Sequence, residues 1–139
     1  MTSMSPADTI AGMISLLPFN FFVIGIGAAL GAWLRWILGL RFNAAGWPWG
    51  TLAANLVGGY LIGLIVALIA AHPEWPVWIR LAAVTGFLGG LTTFSTFSAE
   101  TVAMLERGAY GTALTYAGTS LLGSLALTAL GLATVHALK

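Results

Sequence analysis

A long apolar run in the middle of the chain is interrupted by Gly86-Phe87-Leu88-Gly89-Gly90-Leu91-Thr92-Thr93-Phe94-Ser95-Thr96-Phe97-Ser98, glycines and hydroxyls where hydrocarbon-facing residues are expected. In a bilayer every backbone N–H and C=O needs a partner within the protein, so irregular backbone at that depth survives only where it is buried or lines a polar path. A broken helix here predicts an ion or solute site. Further along, Thr112, Tyr116, Ser120, Ser124 and Thr128 recur every four residues. That spacing makes them one slowly spiralling polar stripe on a helix face. Hydroxyls tolerate burial by bonding the carbonyl one turn back, which explains isolated Ser and Thr. Five in register with a tyrosine among them point instead to a pathway, which polar groups inside membranes tend to mark.

Asn55 is the lone amide of another apolar run, about 8 Å along its helix at 1.5 Å per residue, with Thr51 one turn before it. Its two N–H donors suit an anion, and equally suit holding two helices together. Arg35 and Glu100 are ionisable groups placed inside apolar runs, where charge is costly enough to imply a role. Arg35, near the end of its run, can also snorkel to the interface. Phe94 and Phe97, three apart, share a helix face beside Ser95, Thr96 and Ser98. Such a pair is ordinarily packing, yet aromatic edges are positive, and edges aimed into a narrow path favour a small anion without fully hydrating it.

The elements that must position these groups are membrane spans. Residues 20–40, 50–71, 77–105 and 110–135 are each apolar and long enough to cross a hydrocarbon core, which needs roughly 20 helical residues. The connections between them are short, which implies antiparallel neighbours, and Trp47, Trp49, Trp75 and Trp78 crowd their boundaries as interfacial anchors. Composition agrees: 59% of residues are hydrophobic and 6% charged, which excludes a soluble domain. With no cysteine there is no disulfide framework and no thiol nucleophile. A net charge of +1 without a basic cluster argues against nucleic acid. No nucleophile–base pair, metal cluster or phosphate loop supports an enzyme. Residues 1–18 carry Asp8 and lack the basic start of a secretory signal; they read as a tail, with Pro18 a plausible stop before the first span.

Orientation is nearly unbiased. Arg80 and Lys139 fall on one side, Arg41 and Arg107 on the other, and only Arg35 tips the balance. Lys and Arg asymmetry normally fixes insertion, so such a chain is expected to insert both ways. Two opposed copies would then form by association what larger transporters carry as inverted repeats, an antiparallel homodimer. Gly27 and Gly31, and Gly59 and Gly63, have the spacing that lets helices approach closely, either within one chain or across a dimer seam.

Three motifs in order, Gly31-Ala32-Trp33-Leu34-Arg35-Trp36, Gly50-Thr51-Leu52-Ala53-Ala54-Asn55-Leu56-Val57-Gly58 and the run from Gly86 through Glu100, make the chain resemble the Fluc/CrcB fluoride channels over residues 19–139. The resemblance implies an all-α integral membrane protein of the inner (plasma) membrane, with four transmembrane helices, the third broken, in a dual-topology homodimer. It implies two passive pores that export fluoride selectively over chloride and so relieve toxicity. It places a phenylalanine box on Phe94 and Phe97, the pore asparagine on Asn55, and a polar track on Tyr116, Ser120 and Ser124. A structural sodium ion falls on backbone carbonyls of Gly89 and Thr92. Thr51, Ser95 and Thr96 join the pathway, with Arg35 and Glu100 in supporting positions. A small four-helix dual-topology drug exporter would share size and charge balance, but it needs a carboxylate deep in the first span, and none is there. A non-transporting membrane assembly subunit would explain the glycine pairs and leave the hydroxyl stripe without purpose.

Overall fold

Apolar stretches with few competing polar groups satisfy their backbone by coiling, and in the computed structural model they do so four times. The structure describes residues 6–44 and 46–138, with side chains from residue 17 onward except at 44 and 45. Helix α1 spans Pro6–Phe42. A two-residue antiparallel pairing, β1 (Asn43–Ala44) with β2 (Trp47–Pro48), turns the chain into α2, Trp49–Ala71. Gly46, at φ +100°, makes that turn possible, because side chains rarely adopt that conformation.

The third span is composite. Helix α3 (Val77–Arg80) runs into a π-helical segment, Leu81–Leu88, then into α4 (Gly89–Leu91). Thr92 and Thr93 are extended, at ψ 153° and 119°, and helix resumes as α5, Phe94–Glu106. The expected break is therefore real and falls at the two threonines. The π-helical stretch ahead of it was not foreseen; such wide turns concentrate near functional sites. Gly108 (φ +74°) turns the chain into α6, Tyr110–Ala137. The four apolar spans, Leu17–Phe42, Trp49–Ala71, Val77–Glu106 and Tyr110–Ala137, lie within three residues of the sequence expectation at each end.

Pro18 does not stop the first helix, which passes through it from Pro6. Proline removes one hydrogen bond and crowds one carbonyl. Among apolar neighbours, unravelling the flanks would strand several backbone groups at greater cost. Of the tail, residues 1–5 lie outside the described residues.

The spans pack in two interlocked pairs. Helix α1 crosses the π-helical segment and α4, and α2 lies along α6. At the first crossing a Cβ on Gly31 would strike the Phe87 carbonyl, and one on Gly90 the Ala28 carbonyl. At the second, a Cβ on Gly63 would strike the Thr128 carbonyl, and one on Gly131 the Tyr60 carbonyl. Both glycine pairs thus serve contacts within the chain. Leu52, Met104, Ala113 and Tyr116 form one core cluster, and Ala54, Leu88 and Leu91 another, on the two sides of the break. Trp49, Trp75 and Trp78 are exposed as expected of interfacial anchors, whereas Trp47 turns inward and sits edge-on to Tyr116, ring centroids 5.7 Å apart.

Candidate ion pathway at the helix break

A break inside an apolar span must find new partners for the backbone it releases. Asn55, on α2, supplies two. Its Oδ1 accepts from the Thr93 N–H at 2.8 Å, and its Nδ2 donates to the Thr93 carbonyl at 3.1 Å. One N–H of the amide remains for another acceptor. Arg35 supplies a third partner, its Nε donating to the Gly90 carbonyl at 3.0 Å. Its guanidinium is thus aimed at the break rather than snorkelling. The Leu88 carbonyl accepts both the N–H and the hydroxyl of Thr92, at 2.9 and 2.8 Å. Among the described residues, no hydrogen bond reaches the carbonyls of Gly89 or Thr92.

Thr93 then caps α5. Its Oγ1 accepts from the Thr96 N–H at 3.1 Å and donates to the Thr96 hydroxyl at 3.0 Å, with Ser95 Oγ at 3.2 Å. Thr side chains are favoured caps because they satisfy an orphan donor at the helix start. The sequence reading put weight on Ser95 and Thr96 and passed over Thr93, although its position before a helical run carried the signal.

An open-sided groove of about 470 Å³ runs along the break, and its lining includes Asn55, Gly89, Thr92, Phe94, Phe97 and Ser120. Ser124 and Thr128 continue the lining along α6, so three of the five stripe residues face the groove. Ser124 Oγ lies 3.4 Å from the Asn55 carbonyl, and Thr128 Oγ1 donates to the carbonyls of Gly59 and Ser124, both at 2.9 Å. Among the described residues, no Lys or Arg contributes to that lining. Phe94 is 80% exposed, and its ring lies 5.7 Å from that of Phe97. Phe97 continues to the ring of Tyr116 at 5.4 Å.

Tyr116, fully buried, links this aromatic row to Trp47 and meets a polar cluster. Its hydroxyl donates to Glu100 Oε2 at 2.6 Å, and Thr51 Oγ1 donates to Oε1 at 2.8 Å. Three residues singled out separately in the sequence therefore form one network. Asn43, which the sequence reading missed, joins them through Nδ2, at 3.2 Å from Thr51 Oγ1 and 3.3 Å from Glu100 Oε1. It lies in a turn and belongs to no periodic stripe, so only the fold brings it there.

Residues 22–132 match the family model described as CrcB-like protein, Camphor Resistance (CrcB). A Bordetella pertussis protein named fluoride-specific ion channel FluC is 79% identical over 126 residues, covering 91% of this chain and 98% of its own. A Bordetella bronchiseptica protein of the same name is 78% identical over the same coverage. One from Cupriavidus metallidurans, also so named, is 55% identical over 123 residues, 87% of this chain and 98% of its own.

Proposed function

This chain belongs to the CrcB family, and from that membership we propose that it is a fluoride-specific ion channel of the membrane. The high identity to relatives of that name over nearly their whole length is the observation that carries the reading. The groove gives it a physical basis. Fluoride is small and strongly hydrated, so a path must replace its water without binding it too tightly to leave. Hydroxyls of Ser120 and Ser124, the spare N–H of Asn55 and the edges of Phe94 and Phe97 supply weak, adjustable donors along one wall. The start of α5 adds a partial positive charge beside the two phenylalanines.

Fluoride moves passively down its electrochemical gradient, outward when it accumulates in the cell. The Tyr116 hydroxyl is committed to Glu100, so Tyr116 meets the ion with its ring edge or by exchanging partners. Two copies in opposite orientation close the open side of the groove, giving two pores per dimer, in keeping with the balanced Lys and Arg distribution. The carbonyls of Gly89 and Thr92, unbonded among the described residues, are hard oxygen donors suited to a structural sodium ion at the dimer centre. When bound, that ion would tie the two broken helices together and add a positive field.

Fluoride release from liposomes containing only the purified protein tests this reading, with chloride release measured in parallel. Rapid fluoride loss with little chloride loss is expected. Intact, folded protein that releases no fluoride would overturn it.

A further inference from the structure

We infer that Asn43 is a positioning residue for one end of the pathway, holding the Glu100 carboxylate against Thr51 and Tyr116 and away from the passing anion. The inference rests on the fluoride-channel reading above.

Asn43 sits in β1, where α1 ends and the chain turns toward α2. Helix α2 begins after Pro48, which offers no side-chain cap. Asn43 supplies it from a distance, Oδ1 accepting from the N–H groups of Gly50 at 2.7 Å and Thr51 at 3.2 Å. Backbone N–H groups only donate and a carboxylate only accepts, so these partners turn Nδ2 toward Thr51 Oγ1 and Glu100 Oε1. One side chain therefore joins the start of α2 to a carboxylate on α5. With the hydroxyls of Thr51 and Tyr116, Glu100 has three donors, from β1, α2 and α6.

Glu100 follows Phe97 by three residues on α5, so it shares the face that carries the aromatic row. Phe97 contacts Tyr116, and Tyr116 contacts Glu100. An anion leaving the Phe97–Tyr116 end thus approaches a negative group. A carboxylate fixed by three donors keeps its charge spread over that network. Released from Asn43, it is left with the Thr51 and Tyr116 hydroxyls and is less constrained about its side-chain bonds, so that it can swing toward the ion, where like charge opposes passage.

Asn43→Asp separates this role from capping. Aspartate keeps an oxygen for the Gly50 and Thr51 N–H groups and caps a helix as well as asparagine does. It has no donor for Glu100 and adds a like charge beside it. In liposomes, Asn43→Asp is expected to slow fluoride release roughly tenfold, the scale of one lost charge-assisted hydrogen bond, with the thermal midpoint little changed. Combining it with Glu100→Gln, whose amide can donate to the new aspartate, is expected to raise the rate severalfold over Asn43→Asp alone. A merely structural role would give no such recovery. If Asn43→Asp does not yield folded protein, Asn43→Ser keeps a capping oxygen without charge and carries the same comparison. Release at the parent rate in the single variant, or a double variant no faster than the single one, overturns the inference. A parent protein that carries no fluoride overturns the channel reading instead.

Discussion

The side chain of Asn55 mimics a strand partner for Thr93, taking its N–H at 2.8 Å and meeting its carbonyl at 3.1 Å. The break in the third span is thus held open by a side chain on the second. The residue read from sequence as either an anion donor or helix glue has one N–H committed to the second role and another left for the first.

Asn55→Asp tests both. The substitution places a carboxylate against the Thr93 carbonyl and a negative charge beside an anion path. It is expected to cost about 1–3 kcal/mol through the carbonyl left without a donor and to slow fluoride release at least tenfold. Release at the parent rate would remove Asn55 from the path, and an unchanged thermal midpoint would remove it from the bracing of the break.

The two phenylalanines differ in their surroundings within the chain. Phe97 is packed against the core cluster that holds Tyr116, whereas Phe94 is 80% exposed. Phe97→Ile is therefore expected to cost about 1 kcal/mol of stability, and Phe94→Ile less than about 0.5 kcal/mol. If ring edges help carry the anion, both variants nevertheless slow fluoride release by roughly tenfold, about 1.4 kcal/mol. Flux tracking stability, with Phe94→Ile as fast as the parent, would reduce the pair to packing.

Arg35 donates to the Gly90 carbonyl across the α1–α4 crossing. Arg35→Lys keeps the charge but loses the rigid donor fork, so it is expected to lower the thermal midpoint by the equivalent of about 1.5–3 kcal/mol and to slow release. A lysine variant matching the parent in both measurements would show that position 35 contributes charge alone.

Much of this was legible because membrane spans are written in long apolar runs whose ends shift little, and because hydroxyls and glycines stand out against them. The α6 stripe and the Thr92–Thr93 break are of that kind. What escaped depends on geometry that local sequence does not encode. Pro18 looks like a stop, but the apolar surroundings hold the helix together around one lost bond. Asn43 is an ordinary turn residue until the fold brings Thr51 and Glu100 to it. The π-helical turn at Leu81–Leu88 has an apolar sequence that would serve equally well as α-helix.

The glycine crossings make the most severe prediction, and the first helix contains its own control. A Cβ at Gly31 would collide with the Phe87 carbonyl and lie 2.7 Å from the Leu91 amide nitrogen, both backbone atoms that cannot turn aside. At Gly25 nothing lies within 4 Å. Gly31→Ala must therefore push α1 away from the π-helical segment and α4, pulling Arg35 from Gly90. Its cost is expected to exceed about 3 kcal/mol, beyond ordinary overpacking because backbone rather than side chain is displaced. Gly25→Ala should be neutral or stabilising by up to about 1 kcal/mol through helix propensity alone. Thermal unfolding of both variants in the same detergent separates the two outcomes. Equal midpoints would mean that the close α1–α4 approach is not required, and the positioning of Arg35 at the break would lose its support.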